Sequence, residues 1–225
     1  MLILSRWALK LAVVAVVGIA CAQLQPPPTP TPDRKVMFGY RGWFGCPGEG
    51  SQRDGWQRWV RGGAPVAAEV TVDLWPDTSE LPDAERCATD LALPGGRAAT
   101  VFSSFNPDTV DRHFEWMKEY GLDGVSIESP LAERDSPALS EFRNQVARNV
   151  RDAAENHGRV FAIMYDISGE DSDAADAIRR DWTYLVDTLR LTESPRYLQQ
   201  DGNPVLASGA WGTPPRVPRP TRRWR

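Results

Sequence analysis

Two acidic side chains stand at the ends of apolar, strand-like runs: Glu128 closes the run at 124–128, and Asp166 follows the run at 160–165. If these runs lie parallel, their C-terminal ends share one edge of a sheet, which is where α/β proteins gather ligand-binding groups. Two carboxyl groups held there on either side of a glycosidic bond can cleave it, one as acid and the other as nucleophile or base. The same groups can instead accept hydrogen bonds from a bound sugar or cap a helix in solvent, and the sequence leaves these roles open. Tyr165 precedes Asp166 and can also bond a ligand, although alternation along a strand points consecutive side chains to opposite faces.

Aromatic residues crowd the first third of the chain. Tyr40 and Trp43 end a strand-like segment, and Trp56, Trp59 and Trp75 follow within a short span. Flat rings stack on the apolar faces of sugars, which makes Tyr40, Trp43 and Trp59 candidates for substrate contact, joined by Trp211 farther along. Rings fill cores just as readily, so a packing role stands beside the binding one. His113, beside Phe114 and Trp116 in an expected helix, is read as structural.

The first residues carry Arg6 and Lys10 ahead of an apolar run at 11–20, the order of a secretory signal peptide and too short to span a bilayer. Gly18-Ile19-Ala20-Cys21 resembles the lipobox of bacterial lipoproteins, which implies lipidation of Cys21, export and anchoring in the cell envelope. An ordinary cleaved signal, giving a soluble secreted protein, is the alternative. The chain therefore divides into a signal at 1–21, a Pro-rich tether at 22–35, a body at 36–212 and a Pro- and Arg-rich tail at 213–225. That tail resembles no folded element; a truncated or frameshifted end is expected there, with a disordered basic tail as the alternative.

Cys46 and Cys87 remain after the anchor; they can pair in an oxidising compartment, and the sequence leaves their geometry untested. The two histidines, His113 and His157, lie far apart, and no ligand spacing for zinc occurs, so neither a metal nor another cofactor is expected. Setting aside Arg6, Lys10 and the five arginines from Arg216 onward leaves 19 basic against 30 acidic residues, a net charge of −11. Such a surface repels phosphate backbones, which argues against a nucleic-acid partner and leaves neutral ligands such as sugars.

These groups need elements to position them. Strands are expected over 36–43, 70–75, 100–104, 124–128, 160–165 and 204–207. Asn106-Pro107 and Ser136-Pro137 supply helix starts, Gly158 a helix stop, and 174–189 a further helix. The last four strands alternate with three helices, which argues for an α/β fold with a parallel sheet. Periodicity does not decide between an open sheet and a barrel.

Several ordered blocks resemble the barrel domain of bacterial proteins related to glycoside hydrolase families seventy-one and ninety-nine, the latter containing the endo-α-mannosidases. They include Met37-Phe38-Gly39-Tyr40-Arg41-Gly42-Trp43-Phe44, Leu74-Trp75-Pro76-Asp77, Phe102-Ser103-Ser104, the segment 112–125, Ala162-Ile163-Met164-Tyr165-Asp166 and Pro204-Val205-Leu206-Ala207. The resemblance implies a partial, TIM-type (β/α)8 barrel with about five of its eight parallel strands, the N-terminal part only, and a carbohydrate ligand. It also implies a chain inactive alone: the family's paired glutamates lie in a later Asn-Glu-Trp-type segment that this sequence lacks. Ser126-Ile127-Glu128-Ser129 stands where a Gln-Arg-containing strand end is usual, which puts ligand contacts there in doubt. The reading is a glycoside-hydrolase-like lipoprotein, with a non-catalytic glycan-binding lipoprotein as the alternative.

Overall fold

The computed structural model describes residues 30–168 and 173–209. Four strands, β1 (Met37–Tyr40), β4 (Gly124–Pro130), β5 (Val160–Asp166) and β8 (Leu206–Gly209), form one sheet in that order, every pair parallel. Neighbours in space follow one another along the chain, and helices return the chain between β4 and β5 and between β5 and β8. The fold is α/β, as the alternation of patterns requires.

The helices begin where local chemistry places them. In α1 (Pro107–Glu119) and α2 (Pro137–His157) a proline occupies the first turn, where its missing N–H costs no hydrogen bond. Ser136 caps α2 by accepting from the Leu139 N–H, and Gly158 ends it at φ 66°, a left-handed conformation that a side chain would strain. Asn106 holds the N-cap position of α1, but its side chain makes no capping bond. α3 runs over Ala174–Asp187.

One face of the sheet is packed under these helices. Val125 and Ile127 of β4, with Phe161, Ile163 and Tyr165 of β5, join Phe114 of α1, Val146 and Val150 of α2, and Leu185 of α3 in the main core. Because partners across a parallel ladder point the same way, the opposite, concave face carries Gly39, Ser126, Glu128, Ala162, Met164, Asp166 and Ala207. The start of β4 lies so close to β5 that a Cβ on Gly124 would sit 1.9 Å from the Val160 carbonyl oxygen, so only glycine fits.

Two expected strands depart from this sheet. The segment at 100–104 appears as β3 (Ala98–Val101), paired antiparallel with β2 (Cys87–Ala92), a strand that periodicity did not reveal. The connection is a short turn through Pro94, Gly95 and Gly96, with both glycines at positive φ, and so few residues cannot make the long crossover of a parallel pair. The segment at 70–75 forms no strand, only a bridge between Val70 and Val60. The parallel sheet thus has four strands among the described residues instead of about five. Asp201 and Gly202, both at positive φ, make the expected turn, here between the short strands β6 (Gln199–Gln200) and β7 (Asn203–Pro204), and the final sheet strand starts at Leu206 instead of residue 204.

Candidate functional site

Glu128 and Asp166 project from the C-terminal ends of adjacent parallel strands onto the same concave face. Glu128 is paired in register with Met164, two residues before Asp166. Strand spacing and rise then separate the two Cα atoms by about 8 Å. The Glu128 side chain is only 4% exposed, and the Arg41 Nε donates to its carboxylate at 3.1 Å. A polar group without a partner would be costly at that burial, and Arg41 supplies the partner. Asp166 accepts a hydrogen bond from the Ser168 N–H at 2.9 Å, which folds the chain back at the strand tip.

Arg41 also connects this pair to the first aromatic candidate. Its guanidinium carbon lies 5.2 Å from the centre of the Trp43 ring, and that of Arg58 lies 4.6 Å from the same ring. Both distances fall within cation–π range. Arg58 is bonded in turn to Glu133, in the short turn that follows β4. A continuous chain of groups results: Glu128, Arg41, Trp43, Arg58, Glu133. Sequence reasoning found its first and third members and missed the arginines. Alternation alone could have found Arg41, since it must face away from Tyr40 and toward Glu128.

Three aromatic candidates belong to the core instead of the rim. Tyr40 points to the helix-covered face, where its hydroxyl is hydrogen-bonded to His113 Nδ1 at 3.0 Å and its ring packs on Phe114; burial pushes its phenol pKa well up. Tyr165 is fully buried on that same face and donates to the Asp181 carboxylate at 2.7 Å, so it is turned away from Asp166. Burial, reinforced by the Asp181 charge, raises its pKa as well. Trp59 is 4% exposed, packs against Phe44 and Phe102, and donates its indole N–H to the Phe102 carbonyl at 2.9 Å. In each case a ring that could line a sugar site is claimed by a hydrophobic cluster that buries more of its area.

His113 is closed in by Tyr40, Phe102 and Trp116, and burial lowers its pKa to about 4, so it is neutral at ordinary pH. Cys46 and Cys87 are joined in a disulfide, with Cα atoms 6.3 Å apart, tying the loop after β1 to β2. Cys21 and Trp211 lie outside the described residues. Among the described residues no three His, Cys, Asp or Glu side chains gather as a metal ion would require.

A parallel sheet in sequential strand order, helix-covered on one side, with acidic tips at the C-terminal ends on the other, has the architecture of an arc of a (β/α)8 barrel. Solved structures agree. The glycoside hydrolase family GH99 endo-alpha-mannosidase from Bacteroides thetaiotaomicron superposes with a TM-score of 0.53 at 16% identity, over 79% of this chain and 45% of that chain. The same enzyme in complex with Bis-Tris propane gives 0.50 at 14% identity, over 77% and 41%. At such identity the likeness establishes the fold: a distant, glycoside-hydrolase-like barrel of which this chain spans less than half the length of the structures it matches. No protein-family model matches the sequence, and no curated protein does.

Proposed function

We propose that this chain is a glycoside-hydrolase-related, lipid-anchored envelope protein that binds glycan at the concave tips of β4 and β5 without hydrolysing it unaided. The observation that carries the reading is the placement of Glu128 and Asp166 on one face at adjacent strand ends, beside Trp43, in a fold shared with an endo-α-mannosidase. Binding is favoured over hydrolysis by what the two carboxylates already do. Glu128 accepts from Arg41 and Asp166 from the Ser168 N–H, so each already serves as a hydrogen-bond acceptor, the role that a sugar hydroxyl would meet. Membership of families seventy-one and ninety-nine, and α-mannosides as ligands, belong to the same proposal.

Calorimetry with α-manno-oligosaccharides tests it. Binding should be detectable, and Trp43→Ala and Glu128→Gln should each weaken it about tenfold, a loss of roughly 1.4 kcal/mol. No released sugar is expected from the unmodified chain. Heats unchanged by both substitutions would remove the site from the strand tips, and steady hydrolysis abolished by Asp166→Asn would replace the binding reading with a catalytic one. Anchoring rests on Gly18-Ile19-Ala20-Cys21 and is read by labelling cells with a fatty-acid analogue: the label should be incorporated and lost in Cys21→Ala. The acidic body supports the accompanying reading that nucleic acid is not a partner.

A further inference from the structure

The loop after β1 carries Arg53, Arg58 and Arg61, and with Arg143 of α2 these four line a cavity of about 360 Å3 at the C-terminal end of β1 and β4. Trp43 forms part of the same wall, and Glu133 is the one acidic side chain among the lining residues, already bonded to Arg58. Neither Arg53 nor Arg61 has an acidic partner among the described residues. Positive charge is therefore in excess inside this cavity, on a body that is otherwise strongly acidic.

Exposed arginines alone would be a solvated face. Here they line a recess together with the Trp43 ring, against which Arg58 lays its guanidinium. Arg143 closes the inner wall, its terminal nitrogens held by Ser129, Ser140 and the Pro130 carbonyl. Guanidinium groups around a recess whose one carboxylate is already bonded to Arg58 leave donors that an anion satisfies. The loop is also held in shape. Its Glu49 accepts from the Cys46 N–H and its Asp54 from the Gly48 N–H, the disulfide ties it to β2, and Arg58 is kept at φ 60°, a conformation a non-glycine residue adopts only where its surroundings impose it.

We infer that this cavity receives the anionic group, a carboxylate or a sulfate ester, of an acidic sugar carried by a glycan stacked at Trp43. The inference rests on reading the Trp43 region as a carbohydrate site and adds the charge class of the ligand. Guanidinium forks match both groups, since each presents oxygens that accept paired N–H bonds.

Four probes distinguish the outcomes in titration calorimetry on the full chain: α-mannobiose, the same disaccharide 6-sulfated, its uronate form, and sodium sulfate alone. Both acidic disaccharides should bind about tenfold more tightly than the neutral one at low salt, and the advantage should shrink at several hundred millimolar NaCl as screening shortens to a few ångströms. The double variant Arg53→Gln/Arg61→Gln, at two exposed positions, should abolish the advantage while leaving neutral binding and the melting temperature unchanged. Arg97→Gln, an exposed arginine elsewhere, should leave the advantage intact. Equal binding of neutral and acidic disaccharides overturns the inference and leaves the proposed function standing, as does an equal loss in the Arg97→Gln control. Sodium sulfate binding as tightly as the sulfated disaccharide also overturns it, because the anion would not be read as part of a sugar. No binding of any saccharide removes both.

Discussion

At the scale of single residues, His113 makes the sharpest prediction. Its imidazole titrates near 6.5 in an unfolded chain and at about 4 in the fold, because burial among Tyr40, Phe102 and Trp116 disfavours the cation. Between those values the unfolded state binds the proton and the folded state does not. The histidine's contribution is therefore complete above pH 6.5, declines as pH falls through that window, and is gone below about 4, a change on the order of 3 kcal/mol. Urea unfolding at pH 7 and at pH 4.5 should show it, and His113→Gln should remove most of the difference; an identical pH slope in wild type and variant would count against it. That Glu128 and Asp166 reach the same edge of the sheet is legible in the sequence, because each ends an apolar run; that they share a face depends on the register of β4 against β5. The fate of Tyr40 and Trp59 is not, since an aromatic ring suits a sugar-binding rim and a core equally, and only the partner that reaches it first decides.

At the scale of elements, the closeness of β4 to β5 is fixed at Gly124. A methyl group there would meet the Val160 carbonyl oxygen at 1.9 Å and the Val160 side chain at 2.8 Å, and a carbonyl in a ladder cannot swing aside as a side-chain tip can. Gly124→Ala should destabilise the fold by about 1–3 kcal/mol or more, as overpacking does, read as a lower denaturant midpoint. A midpoint unchanged within error would mean that the strands separate more easily than the ladder suggests. Helix boundaries were legible from Pro107, Ser136, Pro137 and Gly158, because capping chemistry is local. The β2–β3 hairpin was missed although Pro94-Gly95-Gly96 spells a turn: β2 alternates between half-buried and exposed positions and β3 is only four residues long, a pattern weaker than that of β4 and β5, which are buried at most positions on both sides. The disulfide could not be read in advance, since it depends on the distance between the loop after β1 and the start of β2.

At the scale of the whole molecule, the parallel sheet presents two strands, β1 and β8, with a neighbour on one side only among the described residues. Both carry an exposed apolar side chain on the helix-facing side: Phe38 is 52% and Leu206 40% exposed. Such edges favour association through strand pairing and apolar contact. Sedimentation of the purified chain should show self-association that rises with concentration, and Phe38→Lys should shift it toward the monomer. A monomer at every concentration tested would sink this expectation. The α/β class was legible from the alternation of patterns, whereas curvature into a barrel arc is a property of the assembled sheet and has no local signature.

The concave side of that sheet has one more consequence. With Gly39, Ser126, Ala162 and Ala207 along its floor, it presents little relief of its own apart from Met164, whose methyl group lies 3.8 Å from where a Cβ on Gly39 would stand. Selectivity would then reside in the loops beyond the strand tips, so ligand preference could drift among relatives through loop replacement while the floor stayed as it is.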